Sequence, residues 1–107
     1  MKIELLYFDG CPSCEALVPR LRELLAREGV SEQVELRRVE SPEAARRERF
    51  LGSPTVRIDG EDVDPGAAER TDYGLKCRLY RTSDKTSGVP PEEWIVGAIR
   101  THHQGAP

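Results

Sequence analysis

The feature that most constrains this chain is a junction where an apolar run meets a helix-patterned one, with two cysteines set into it. Residues Ile3 to Phe8 form the apolar run, Asp9-Gly10 breaks it, and Cys11-Pro12-Ser13-Cys14 follows. Beyond Cys14, Leu17, Leu21, Leu24 and Leu25 recur at i, i+4, i+7 and i+8, the period of an amphipathic helix. A strand therefore hands over to a helix at the cysteine pair. At a helix start the first backbone N–H groups lack helical partners and the positive end of the dipole lies close, so a thiolate is favoured at Cys11. Pro12 suits the first turn, where its missing N–H costs nothing. Cys14, one turn further in, is placed to attack a mixed disulfide made by Cys11. This is the arrangement of a dithiol redox site.

The rest of the chain limits the class. A length of 107 residues allows one domain with a real core. The net charge of −3 argues against nonspecific nucleic-acid binding, which needs a clustered positive field. Thirteen of the sixteen basic residues are arginine, and groups such as Arg46, Arg47 and Arg49 alternate with acids, as on a solvated, ion-paired face. The chain opens almost at once into a strand, with no leader pattern and no apolar run long enough for a bilayer, so a cytoplasmic protein with no membrane partner is expected. Three cysteines are too few for a disulfide scaffold, and Cys-x-x-Cys in such a setting points to redox or metal chemistry. No cofactor is implied, and a monomer is expected.

In order, residues 2–8 read as a strand buried on both faces and 12–28 as a helix closed by Gly29, with Pro19 loosening it. Residues 34–39 read as a second strand. Ser41-Pro42-Glu43 is a helix start, N-cap then proline then acid, for a helix reaching about Phe50 and stopping at Gly52. Thr55–Ile58 reads as a third strand opened by Pro54, with Asp59-Gly60 as a turn. Residues 61–74 read as a loop with one helical turn at 67–70. In 75–80, Leu75, Cys77 and Leu79 alternate with Lys76, Arg78 and Tyr80, which predicts a fourth strand burying the first set. Pro90-Pro91-Glu92-Glu93 opens a last helix burying Trp94, Ile95, Ala98 and Ile99. The expected domain is 1–101, with 102–107 a flexible tail. The order β-α-β-α-β-β-α implies parallel first and second strands and a hairpin of the last two.

That order, with Cys-x-x-Cys after the first strand and a proline opening the third, resembles the thioredoxin fold. Three motifs carry the resemblance over residues 2 to about 100. Cys11-Pro12-Ser13-Cys14 is similar to the Cys-Pro-Tyr-Cys of dithiol glutaredoxins. Pro54 falls where the family carries a cis-proline facing the dithiol. Pro19 stands eight residues after the first cysteine, where thioredoxins carry a helix-kinking proline. The resemblance implies an α/β fold with a mixed four-stranded sheet, order 2-1-3-4, flanked by helices. It implies that Ser53–Pro54 is cis, leaving a backbone edge open for substrate. It also implies that Cys11 attacks and Cys14 resolves, with Pro12, Ser13, Ser53 and Pro54 binding a protein or small-molecule disulfide and a separate reductase closing the cycle. The chain departs from thioredoxins in carrying Gly10 where they have Trp. It departs from glutaredoxins in carrying Gly52-Ser53 before the proline and Asp59-Gly60-Glu61-Asp62 in place of their glutathione-binding segment. Small bacterial members with Gly-Ser-Pro-Thr ahead of such a turn are closer, and some are labelled as related to alkylmercury lyase.

Three functions are compatible with these residues. One is thiol–disulfide exchange through Cys11 and Cys14. Another is soft-metal or organomercurial binding by Cys11, Cys14 and Cys77, since soft thiolates suit soft ions. The third is a thioredoxin-fold interaction module whose cysteines are incidental. A closed zinc site is disfavoured, because only Cys77, His102 and His103 remain to complete four ligands. On an edge strand Cys77 would lie about 10 Å from the first strand, and its apolar neighbours favour a buried small hydrophobe. Asp9 and Glu15 flank the pair as solvated or capping acids.

Overall fold

The computed structural model describes residues 1–10 and 12–103, and for 12, 13 and 103 the backbone alone. Three strands set the frame: β1 (Ile3–Tyr7), β2 (Val34–Arg38) and β3 (Thr55–Ile58). β1 pairs parallel with β2, Leu5 opposite Leu36, and antiparallel with β3, Leu5 opposite Val56. A two-residue strand, β4 (Glu61–Asp62), completes a mixed sheet of order β2-β1-β3-β4. Three helices accompany it: α1 (Pro12–Arg27), α2 (Pro42–Glu48) and α3 (Glu92–His103).

Alternation along β1 divides the core in two. Ile3 and Leu5 meet Val56 and Ile58 of β3, the leucine stripe of α1 (Leu17, Leu21, Leu24, Leu25) and Ile95 and Ile99 of α3. On the opposite face Leu6 packs with Val39, Ala45 and Phe50, beneath α2. Each fully buried leucine or isoleucine of these clusters contributes about 1.5–3 kcal/mol relative to exposure, and this burial dominates the stability. Glu4 also points into the α2 face, where Arg37 donates to it at 2.8 Å and to Glu48 at 2.8 Å, so the buried carboxylate is paired.

The local signals behind α1 and α2 hold. Gly29 adopts φ +76 just past α1. Ser41 caps α2 by accepting from the Ala44 N–H at 3.0 Å, with proline in the first turn. α2 ends earlier than expected, at Glu48, because Arg49 takes the left-handed conformation with φ 55.

Two expectations need correction. The fourth strand is Glu61–Asp62, not 75–80. Asp59 and Gly60 both have positive φ (52 and 83), the requirement of a tight two-residue hairpin turn, so the chain folds straight back on β3 and fills that position itself. Residues 67–69 then make one 3-10 turn, and 75–79 form no strand of the sheet but an isolated bridge between Cys77 and Ser53. A separate hairpin follows, β5 (Tyr80–Arg81) with β6 (Thr86–Ser87). Over 77–80 the phase is also the reverse of that expected, while Leu75 still packs against the smaller core cluster and Lys76 is exposed. Arg78 and Tyr80 are buried, whereas Cys77 and Leu79 are exposed, Leu79 by 55%.

At the C-terminal end the last helix reaches two residues past the expected domain boundary. α3 runs through His103, and His102 stands between Asp59 and Glu61, each 3.3 Å away. Residues 104–107 lie outside the described residues. Among the described residues, no helix is long and apolar enough to cross a membrane.

Candidate functional site

The β1–α1 junction is where the sequence concentrates its chemistry. Gly10 has φ +95 with open space around it, which turns the chain from the strand into α1. Cys11 lies outside the described residues, and Pro12 and Ser13 enter only as the first two backbone positions of α1. Cys14, in the first turn of α1, is buried at the edge of the larger core cluster. Asp9 is exposed and paired with Arg38 at 2.6 Å, and Glu15 is exposed.

The start of β3 meets Cys14 from the other side. The Ser53–Pro54 peptide bond is cis, and both residues are buried. Ser53 Oγ lies 2.9 Å from Cys14 Sγ, a hydrogen bond in which either group serves as donor. Three of the six expected site residues, Cys14, Ser53 and Pro54, are thus gathered where α1 begins and β3 begins.

The backbone edge at Ser53 is not open, contrary to expectation. Its N–H donates to the Lys76 carbonyl at 2.8 Å, and its carbonyl accepts from the Arg78 N–H at 2.9 Å. These two bonds form a parallel bridge with Cys77 directly opposite Ser53. Gly52 permits the approach. It sits at φ +127, and a Cβ there would lie 2.9 Å from both Arg78 Cβ and the Lys76 carbonyl oxygen. Cys77 therefore neither lies on a distant edge strand nor behaves as a buried hydrophobe. It belongs to the site.

The neighbours of Cys77 anchor this segment. Arg78 is wholly buried and donates to Asp62 at 2.7 Å, to Asp64 at 3.2 Å and to the Thr55 hydroxyl at 3.1 Å. Its guanidinium also lies 4.4 Å from the centre of the Tyr80 ring. Burial works against this charge, but the Tyr80 oxygen, Asp62 and Asp64 outweigh it and hold the guanidinium above its ordinary value. Nε of Arg78 is buried without a hydrogen-bond partner. Tyr80 donates to the Pro54 carbonyl at 2.5 Å, and burial pushes its phenol far above the usual range. Outside the pair, an open groove of about 440 Å³ runs past Leu51, Lys76, Cys77, Leu79 and Trp94.

Sequence reasoning missed Gly52, Arg78 and Tyr80, which hold the site together. A usable signal was present. Asp62 and Asp64 alternate in a turn-rich stretch, and two converging carboxylates need a cation if they are to be half-buried. Among the described residues, no three His, Cys, Asp or Glu side chains are grouped to hold a metal, and His102 lies at the opposite end of β3 from Pro54. Compared with known proteins, the chain matches no family model, no curated protein and no solved structure.

Proposed function

We propose that this chain is a thiol–disulfide oxidoreductase of thioredoxin-like fold, cycling between a Cys11/Cys14 dithiol and the corresponding disulfide. The observation that carries the reading is the 2.9 Å contact between Cys14 Sγ and Ser53 Oγ. It sets the second cysteine of a helix-start Cys-x-x-Cys against the residue before a proline that opens a neighbouring strand. The β2-β1-β3-β4 order supports the same fold.

In this mechanism the Cys11 thiolate attacks one sulfur of a substrate disulfide, and the other sulfur leaves as a thiolate that takes up a proton. Cys14 then attacks the Cys11 sulfur. The second substrate thiolate leaves, the Cys11–Cys14 bond forms, and the substrate has gained two electrons. Ser53 is placed to donate its hydroxyl hydrogen to Cys14 as that sulfur becomes negative, which favours the attacking form. The substrate is a protein or small-molecule disulfide in the cytoplasm, and a separate reductase restores the dithiol.

Titration of the purified protein in graded thiol–disulfide buffers, with alkylation and mass analysis, tests this directly. A two-electron couple linking Cys11 to Cys14 is expected between roughly −120 and −270 mV. Thiols that stay reduced across that span would refute it. The placement of Cys77 opposite Ser53 favours one second reading, in which three thiols hold a soft metal or an organomercurial. That reading predicts a one-to-one complex lost in Cys77→Ser, with no couple.

A further inference from the structure

Cys77 has the opposite environment from the one expected of it: it is exposed, whereas Cys14 is buried. They also share a neighbour. Cys77 stands opposite Ser53 in the parallel bridge, about 4.8 Å away by the usual strand spacing. Paired residues in a bridge project to the same side of the ladder, so the Cys77 thiol leaves the backbone on the side of the Ser53 hydroxyl. That hydroxyl touches Cys14 Sγ at 2.9 Å. We propose that Cys77 is a third exchanging thiol of this site, forming a disulfide with Cys14. The proposal rests on the oxidoreductase reading given above.

The segment is built to hold a thiol at this place. Lys76 and Arg78 bind the Ser53 backbone on either side of Cys77, Arg78 is buried against Asp62 and Asp64, and Lys76 Nζ is tied to Asp72 at 2.7 Å. The backbone at Cys77 is thereby held while the residue stays exposed. Burial closes Cys14 to a bulky partner, whereas Cys77 can be reached.

The step balances without an outside oxidant. Once a substrate disulfide has left the Cys11–Cys14 bond, the Cys77 thiolate attacks the Cys14 sulfur. The Cys14–Cys77 bond forms, the Cys11–Cys14 bond breaks, and Cys11 leaves as a thiolate that takes the proton lost by Cys77. One disulfide exists before and after, so no electrons enter or leave. The oxidation is thereby passed to Cys77, an exposed residue, where an external dithiol attacks the sulfur, Cys14 leaves as a thiolate, and two electrons are supplied.

The test uses 2-hydroxyethyl disulfide as oxidant, acid quenching, alkylation of remaining thiols and mass mapping of linked peptides. In Cys11→Ser, the expected product is a monomer with Cys14 linked to Cys77. Separate mercaptoethanol adducts on the two cysteines, with no link, would overturn the proposal. In the native chain, a Cys14–Cys77 link alongside Cys11–Cys14 is expected. Cys11–Cys14 alone would overturn the proposal and leave the oxidoreductase reading standing, and no disulfide at all would remove both. Gly52→Ala, made in the Cys11→Ser chain, should slow linkage by about tenfold or more, since it displaces the segment that presents Cys77. An unchanged linkage rate would show that the bridge does not position the thiol.

Discussion

Gly52→Ala is the most demanding test of how residues 76–78 dock at the site. At φ +127 a side chain is strained whatever the space around it, by about 1–3 kcal/mol. The added Cβ would also stand 2.9 Å from Arg78 Cβ and from the Lys76 carbonyl oxygen, and 3.2 Å from Arg78 Cα. Carbon contacts are comfortable at about 3.5–4.0 Å. The atoms that must give way are backbone or next to it, so no flexible side-chain end can swing aside, and overpacking adds about 1–3 kcal/mol. Withdrawal of 76–78 offers little relief. It gives up the two Ser53 backbone bonds, each worth about 0.5–1.5 kcal/mol, and uncovers Arg78. The expected cost is therefore about 3 kcal/mol. Urea unfolding reads it, followed by the single tryptophan, because Trp94 packs edge-on against Tyr80 at 6.3 Å and reports on this corner. With a urea slope of about 1–3 kcal/mol per molar, the midpoint should fall by about 1–3 M. Gly97→Ala is the matched control. Gly97 lies inside α3 with nothing within 4 Å of the added Cβ, so the same substitution should stabilise by about 0.5–1 kcal/mol. If Gly52→Ala stays within about 0.5 kcal/mol of the parent, and the Arg78 amide exchanges no faster, the close approach described here is wrong.

Two further substitutions probe the same segment. Arg78→Met keeps an apolar stem but leaves Asp62 and Asp64 facing each other without their cation, and should cost about 3–5 kcal/mol by urea unfolding; a loss under about 1 kcal/mol would mean that the buried pairs are not what holds 76–78 in place. Hydrogen bonds from Arg70 and then Lys76 hold the Asp72 carboxyl well below the usual range, so it contributes stability above its unfolded value near 3.9 and loses that contribution as pH falls below it. Because Asp72 is half-exposed, the contribution is at most about 1 kcal/mol: Asp72→Asn should lower the urea midpoint at pH 7, and the gap to the parent should narrow steadily as pH falls below about 4 toward the lower folded value; a gap of the same size at pH 7 and at pH 2 would refute the assignment.

The elements recoverable from the sequence are those whose signals are local. The leucine spacing of α1, the Ser41 cap of α2 and the Asp59-Gly60 turn each depend on a few neighbouring residues, and each appears where expected. The parallel pairing of β1 with β2 follows from the crossover helix between them. The segment 75–80 failed for a different reason. Its alternation is real, but period-two patterning fixes only which residues share a face, and not which face is buried. The apolar set Leu75, Cys77 and Leu79 is the natural choice for the interior. Asp62 and Asp64 reverse it by offering Arg78 a paired site, and the Pro54 carbonyl takes the Tyr80 hydroxyl. Those partners lie 14 to 26 residues away in sequence, and no local rule reaches them.

The reversal has a chemical consequence. Had Cys77 and Leu79 joined Leu75 against the core, the third thiol would be inert packing. Turning Arg78 inward draws 76–78 across that edge, closes it with the chain's own backbone, and leaves Cys77 as the exposed residue opposite Ser53. A partner that needs the Ser53 backbone must first displace this segment, breaking two backbone bonds and loosening Arg78. Cys77 itself stays exposed beside that closed edge. If the chain exchanges thiols as proposed, the arrangement favours substrates that engage by sulfur exchange over those that engage by strand pairing. A small disulfide should then oxidise the native chain as readily as a peptide disulfide does. If an extended peptide disulfide instead reacted about a hundredfold faster than 2-hydroxyethyl disulfide, and Gly52→Ala raised that rate further, residues 76–78 would be a removable cover and not part of the reacting site.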